Sequence, residues 1–335
     1  MSANLFRRAR CAISGVALCL VTFSATPDVV GSSPEMQVFV GQMSTAHGFD
    51  SADLLALLSG AERRNDIIQA MQRPAEAKPW HQYRRIFLTQ ARIQGGVDFL
   101  TDHKEILDRA EKIYGVPAEV ITAIIGVETS YGKNVGSYRV LDALATLGFG
   151  YPPRAEFFRR ELEHFLLLSR EESLNPLIVT GSYAGAMGMA QFISSSYRNY
   201  AVDFDGDGHR NLWASHDDAI GSVANYFKHH GWLTGQPVAL AVNPTTEAAR
   251  NLGNRDLALN RSIASLQLAG VPVTVPLPGD TLANLLALEQ VEGIEYWVAL
   301  PNFSVITRYN RSVHYAMAVY QLSTEIRKAY AAENP

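Results

Sequence analysis

Apolar residues recur every three to four positions over most of this chain, the spacing of helices buried along one face. The pattern starts near Gln37, through FVGQMSTAHGF and ADLLALLSGAERR. It returns between Val97 and Gly231 in VDFLTDHKEILDRAEKIYG, PAEVITAIIGVETSYG, FFRRELEHFLLLSREE and HDDAIGSVANYFKHHGW. Gly115 fits the end of one such helix and Pro117 the first turn of the next. KPWHQYRRIF, with Pro79 and its aromatic side chains, reads as a bridge into the main domain. From Gln236 to about Pro301 the period changes: PVALAV and PVTVPL look like short strands, beside turn-prone NPTT and PGD. SVHYAMAVYQLSTEIRKAY is again an amphipathic helix. The expectation is an α+β fold, predominantly α-helical. It comprises a leader and linker (1–33), a helical N-terminal region (34–100), a main helical core (101–235), a small partly β inserted subdomain (236–300) and a C-terminal helix completing the core (301–335). No internal repeat is visible.

The first residues change the picture of where the chain works. Arg7, Arg8 and Arg10 precede the apolar stretch Ala12–Ala25, the layout of an export signal. That stretch is shorter than the roughly 20 apolar residues of a membrane span. A clean Ala-x-Ala cleavage site is absent, and Cys19 follows Leu18 where a lipoprotein box would carry a small residue, so the anchor stays open. Residues 26–36 read as a linker. Both cysteines, Cys11 and Cys19, lie in the leader. Its removal would exclude a disulfide framework, a cysteine–zinc site and a cysteine nucleophile. The net charge of −4 argues against nucleic acid as a partner. It leaves an anionic wall polymer open, because a local groove can differ from the total.

Three segments carry candidate chemistry. Ile121, Ile124 and Ile125 form one apolar helical face, and Glu128 is the next member of that row, before Gly132. An acid on an inward-facing stripe is desolvated, which favours its protonated form as a general acid requires. Spacing alone leaves a structural ion pair equally open. A hydrolase would need a second carboxylate across the scissile bond; Asp142, Glu156 and Glu161 are available, none singled out. GSYAGAMGMAQF concentrates Gly181, Gly185 and Gly188, with Ser182 and Gln191 able to bond sugar hydroxyls or amides. By composition, close helix packing explains it better. DFDGDGHRN sets Asp203, Asp205 and Asp207 at alternate positions with Gly208 after them, like the first half of an EF-hand loop. Position twelve is Ala214 where a bidentate Glu belongs, so the last carboxylate must come from Asp217 or Asp218. Structural calcium is the favoured reading.

In this order, these segments resemble the membrane-bound lytic murein transglycosylase B family, a lysozyme-like group. The resemblance runs from about Lys78 to Leu322 and weakens over 240–295. It is carried by GVETSYG, VLDALATLGF with YPPRAEFF, GSYAGAMGMAQF, DFDGDGHRNLW, DAIGSVANYF with HHGW, and ITRYNRSVHYAMAV. It implies a lysozyme-like core and places the single catalytic acid/base at Glu128. It implies cleavage between N-acetylmuramic acid and N-acetylglucosamine, with closure of a 1,6-anhydro ring instead of hydrolysis. Ser182, Gln191, Tyr226, Tyr309 and Asn310 become substrate contacts, with Tyr315 and Tyr83 as weaker matches. Asp203, Asp205, Asp207, the backbone of His209 and Asp218 become calcium ligands, although one extra residue before DAIG lets Asp217 compete. No organic cofactor is implied. The partner is the glycan strand of peptidoglycan in the periplasm of a Gram-negative bacterium; membrane association and cell-wall synthesis proteins stay open. A catalytically silent wall-binding scaffold and a lysozyme-like hydrolase are the alternatives.

Overall fold

The structure, a computed structural model, describes residues 33–72 and 78–334. The expected export leader and most of the expected linker lie outside them. Ser33 caps the first helix, its hydroxyl accepting from the Met36 N–H at 3.2 Å. The last residues of the expected linker therefore already belong to α1 (Pro34–His47). α2 (Ser51–Ser59) is capped in the same way by Asp50, and α3 (Asn65–Met71) follows. The expected bridge is α4 (Trp80–Phe87), which buries Trp80 and Tyr83. No helix among the described residues is long and apolar enough to cross a membrane.

The core is built from α5 (Gln90–Asp102), α6 (Lys104–Tyr114), α7 (Ala118–Thr129), α8 (Val140–Gly150), α9 (Ala155–Glu171), α10 (Ser194–Tyr200) and α11 (His216–His229). Gly115 closes α6 at φ +73°, as the sequence suggests. The stripe of α7 is fully buried at Ile121, Ile124 and Ile125. Each contributes about 2 kcal/mol of burial, so this helix is anchored from its centre. A two-stranded ribbon, β1 (Tyr138–Arg139) with β2 (Thr180–Gly181), links the segment after α7 to the start of the glycine-rich loop.

The insertion is a four-stranded antiparallel sheet in the order β3-β6-β5-β4. Its elements run β3 (Ala239–Val242), α12 (Glu247–Arg250), β4 (Arg261–Ser262), α13 (Ile263–Leu268), β5 (Leu282–Glu289) and β6 (Ile294–Ala299). It has its own apolar core of Ile263, Leu266, Val271, Leu285, Val298 and neighbours. The strand expected at PVALAV is β3, but PVTVPL is not a strand. Pro272 and Pro276 have no N–H to give a ladder. The central hairpin is instead LANLLALE paired with IEYWVA, a Leu/Ala-rich run whose local preference is helical. The chain then returns through α14 (Pro301–Tyr309) to α15 (Val313–Glu333), which packs on α5 and α7.

Candidate active site

Glu128 is the penultimate residue of α7. It is partly exposed while its neighbours Val127 and Thr129 are buried, so the carboxyl emerges from a packed helix end. The helix stops two residues earlier than Gly132 would suggest. Ser130, Tyr131 and Gly132 all take positive φ, at 52°, 63° and 82°. Left-handed backbone is unfavourable for two of these three, and the Tyr131 ring supplies the compensation. It lies where a Cβ on Gly95 or Gly126 would stand, 2.9 and 2.7 Å from its carbons, and its hydroxyl donates to the Arg92 carbonyl at 2.6 Å. Arg92 in turn donates to the Gly126 carbonyl. The helix end that carries Glu128 is thus held by a ring wedged between α5 and α7. Sequence reading missed Tyr131; the Gly95-Gly96 pair and Gly126, out of place in helices, were its signal.

Three ties fix the glycine-rich loop to this helix end and to α14. The buried Thr129 hydroxyl donates toward the Ile125 and Met189 carbonyls, both at 3.1 Å, and accepts from the Gly132 N–H at 3.0 Å. Gln191, itself at φ +48°, donates from Nε2 to the Val135 and Gly188 carbonyls at 3.1 and 2.9 Å. Tyr309 donates to the Ala190 carbonyl at 2.6 Å. Ser182 folds the loop on itself, its Oγ accepting from the Ala184 and Ala186 N–H groups. Both polar residues expected to bond sugar therefore also build the loop. Gly188 sits so close to Leu212 that a Cβ would meet its carbonyl oxygen at 2.5 Å; both residues lie in loops, so the crowding is of loop on loop and not the close helix packing read from composition.

The last wall comes from the turn between α14 and α15. Tyr315 donates to Glu128 Oε1 at 2.5 Å. Burial, then the Glu128 carboxylate, push the phenols of Tyr315 and Tyr309 well above the ordinary tyrosine range, so both remain proton donors. Tyr226 donates to the Arg308 carbonyl at 2.6 Å and packs 4.8 Å from Tyr309 between ring centroids. Tyr83 is buried against Trp80, Phe87 and His314. Its phenol lies near enough to that of Tyr315 to add to the upward shift of that group. Asn310 ends α14 and lines a polar groove of about 820 Å³ with Ser312 and His314. The three other carboxylates considered are engaged: Asp142 with Arg139 and the Glu62 N–H, Glu161 with the N–H and hydroxyl of Ser195, Glu156 with Arg160.

In the acidic loop, ligand atoms of Asp203, Asp205 and Asp218 all lie within 4.8 Å of one another. Asp218 projects from the first turn of α11, buried, accepting from the Phe204 and Asn211 N–H groups at 2.7 Å each. Burial raises it above the ordinary aspartate range against the pull of those donors; a cation would favour the charged form. Asp217 faces elsewhere, bonded to Arg109 at 3.2 Å. Asp207 accepts from the His209 N–H at 2.8 Å and stands outside the convergent three. Carboxylate and carbonyl oxygens are the donors calcium takes, and the set fits it.

An acid emerging from a buried helix, steadied by a phenol and flanked by a loop that lets backbone approach closely, defines a glycan-cleaving enzyme of lysozyme-like fold. Residues 31–324 match the transglycosylase SLT domain, and the chain belongs to this family of lytic murein transglycosylases, lyases that cleave peptidoglycan. It is 47% identical over 308 residues to membrane-bound lytic murein transglycosylase B of Escherichia coli (strain K12), over 89% of this chain and 84% of the relative. Among solved structures, the catenated lytic transglycosylase SltB1 of Pseudomonas aeruginosa matches with a TM-score of 0.86 at 53% identity, over 90% of this chain and 99% of that one. Escherichia coli SLT35 in complex with calcium matches at 0.82 and 47% identity, over 90% and 95%. Pseudomonas aeruginosa SltB3 in complex with NAG-anhNAM-pentapeptide matches at 0.76 and 31%, over 88% and 79%.

Proposed function

We propose that Glu128 carries both proton transfers of a non-hydrolytic cleavage of peptidoglycan. As an acid it protonates the oxygen linking muramoyl C1 to N-acetylglucosamine, and the C1–O bond breaks through an oxocarbenium-like state. As a base it then takes the proton of the muramoyl C6 hydroxyl, whose oxygen closes on C1 to give the 1,6-anhydro product. The proton returns to Glu128 and no water is consumed. An intramolecular nucleophile has the large effective concentration that makes a second carboxylate unnecessary. The observation that carries this reading is the Tyr315–Glu128 hydrogen bond, which fixes one carboxyl oxygen. The engagement of Asp142, Glu156 and Glu161 elsewhere supports a single-acid mechanism, as does the anhydro ligand of SltB3.

Ser182, Gln191, Tyr226, Tyr309 and Asn310 surround the sugars in this reading, with Tyr315 and Tyr83 shaping the wall behind Glu128. Asp203, Asp205, Asp207, Asp218 and the His209 carbonyl would hold calcium. The ion would supply a cross-link between the acidic loop and α11, and takes no part in bond breaking. The basic leader and the membrane-bound relative support action in the periplasm, near a membrane.

Mass spectrometry of purified peptidoglycan digested by the protein, beside Glu128→Gln, tests the proposal. Muropeptides about 18 Da lighter than hydrolysed ones, the mass of one water, are expected. The variant should be slower by about 10²–10⁴-fold. Hydrated reducing ends would make the enzyme a hydrolase instead, and no products from either protein would leave a wall-binding scaffold.

A further inference from the structure

The polar groove of about 820 Å³ beside the α14–α15 turn is lined by Arg255, Asp256, Leu257 and residues 310–314. One wall belongs to the inserted subdomain and the other to the turn that supplies Asn310 and leads into Tyr315. Each wall carries an exposed arginine, Arg255 and Arg311. Among the described residues neither guanidinium has a carboxylate within ion-pair distance, although the acidic Asp256 shares the groove and the chain is net negative.

Both arginines stand on stiff backbone. Arg311 is the middle of a turn closed by the Ser312 N–H on the Asn310 carbonyl at 2.7 Å, and the Ser312 hydroxyl caps α15. Arg255 follows Asn254, whose backbone bridges to β5 through Leu285 and Ala287 at 3.0 and 2.9 Å. The Asn254 side chain exchanges bonds with the fully buried Asn284, which also donates to the Asp256 carbonyl at 3.0 Å. Such a buried amide pair is costly unless fully bonded. Here it fixes the backbone on either side of one exposed cation. Two pre-positioned, unpaired guanidinium groups facing one groove match a ligand bearing carboxylates.

We propose that Arg255 and Arg311 form a subsite for the carboxylates of the stem peptide carried by the muramoyl sugar, making the enzyme select peptide-bearing strands. This rests on the glycan reading above. A groove of this size exceeds what a lactyl carboxylate alone would fill, and it is continuous with Asn310, the sugar contact on the same turn.

The test compares kcat/KM on peptide-bearing strands with kcat/KM on strands stripped of peptide by an amidase, for the wild type and for Arg255→Gln/Arg311→Gln. The ratio between the two substrates should fall about tenfold in the double variant, the scale of two exposed charge pairs. A misfolded variant loses both rates together, so the ratio isolates recognition. A ratio that stays put overturns the proposal. If both rates fall in step, the arginines read a group common to both substrates or serve structure, and a larger fall on stripped strands would mean that they read the lactyl carboxylate that the amidase frees; either outcome overturns the proposal. Hydrated product ends would sink the non-hydrolytic reading and leave this ratio interpretable. Binding of a peptide-bearing disaccharide to Glu128→Gln, with and without the two arginines, makes the same comparison without turnover.

Discussion

The phenol of Tyr315 donates a 2.5 Å hydrogen bond to Oε1 of Glu128, across 187 positions of sequence. A donor on one oxygen fixes the carboxyl plane. Tyr315→Phe keeps the ring and removes the donor. We expect kcat to fall about 10–100-fold, the scale of one hydrogen bond to a charged group, with KM and melting temperature little changed. Steady-state kinetics on purified peptidoglycan, beside thermal melts, check this.

Calcium should raise the melting temperature and chelator should lower it. At a free concentration a hundred times Kd the gain is about 2.7 kcal/mol. Asp218→Asn should abolish the response because Asp218 converges with Asp203 and Asp205. Asp217→Asn should keep it, because Asp217 is bonded to Arg109. Melting with and without calcium decides; an equal loss in both variants would refute the assignment.

Gly126→Ala adds one methyl carbon against the Tyr131 ring, 2.7 Å from its atoms. The ring cannot retreat without breaking its bond to Arg92 and relaxing the left-handed turn after Glu128. The expected cost is about 1–3 kcal/mol, as for other overpacked sites, with a fall in kcat because the helix end moves. Urea denaturation and turnover should change together. Loss of stability with unaltered kcat per folded molecule would show that the wedge does not position the acid.

Stability should fall from about pH 10 upward. Tyr131, Tyr197, Tyr226, Tyr309 and Tyr315 are all pushed above the ordinary phenol range, in each case chiefly by burial. Their contribution is complete below the unfolded pKa. Above it the unfolded chain releases protons that the folded chain retains, so each such tyrosine removes up to about 1.4 kcal/mol per pH unit until its own folded pKa is reached. Melts across the alkaline range should show the decline beginning where unfolded tyrosine titrates, with tyrosinate absorbance from these residues appearing only on unfolding.

The 3.6-residue helical period put Glu128 in one row with three isoleucines but left a structural ion pair equally open, and only the resemblance chose between the two readings. Its partner was not legible. Period reports that Tyr315 is on a helix, while which helix it meets depends on how the inserted sheet returns the chain. The β5–β6 hairpin was hidden for a related reason: Leu and Ala prefer helix locally, and pairing between strands overrides them. PVTVPL offered alternating valines, but its prolines remove the donors a strand needs. The choice between Asp217 and Asp218 turned on the single added residue, which counting could not resolve. In space the two point apart, one to Arg109 and one into the loop. Ser182 and Gln191 were visible as polar residues among glycines, but not their duty of shaping the loop.

The position of the inserted sheet, between α11 and the helices that complete the core, also sets an order of assembly. Chains emerge from the ribosome at about 5–20 residues per second, and Glu128 is made long before Tyr315. A nascent or prematurely ended chain can carry the acid and the glycine-rich loop, yet it lacks the phenol and the turn bearing Asn310. On the roles proposed for Tyr315 and Asn310, a protein that cuts peptidoglycan gains competence only once α15 is made.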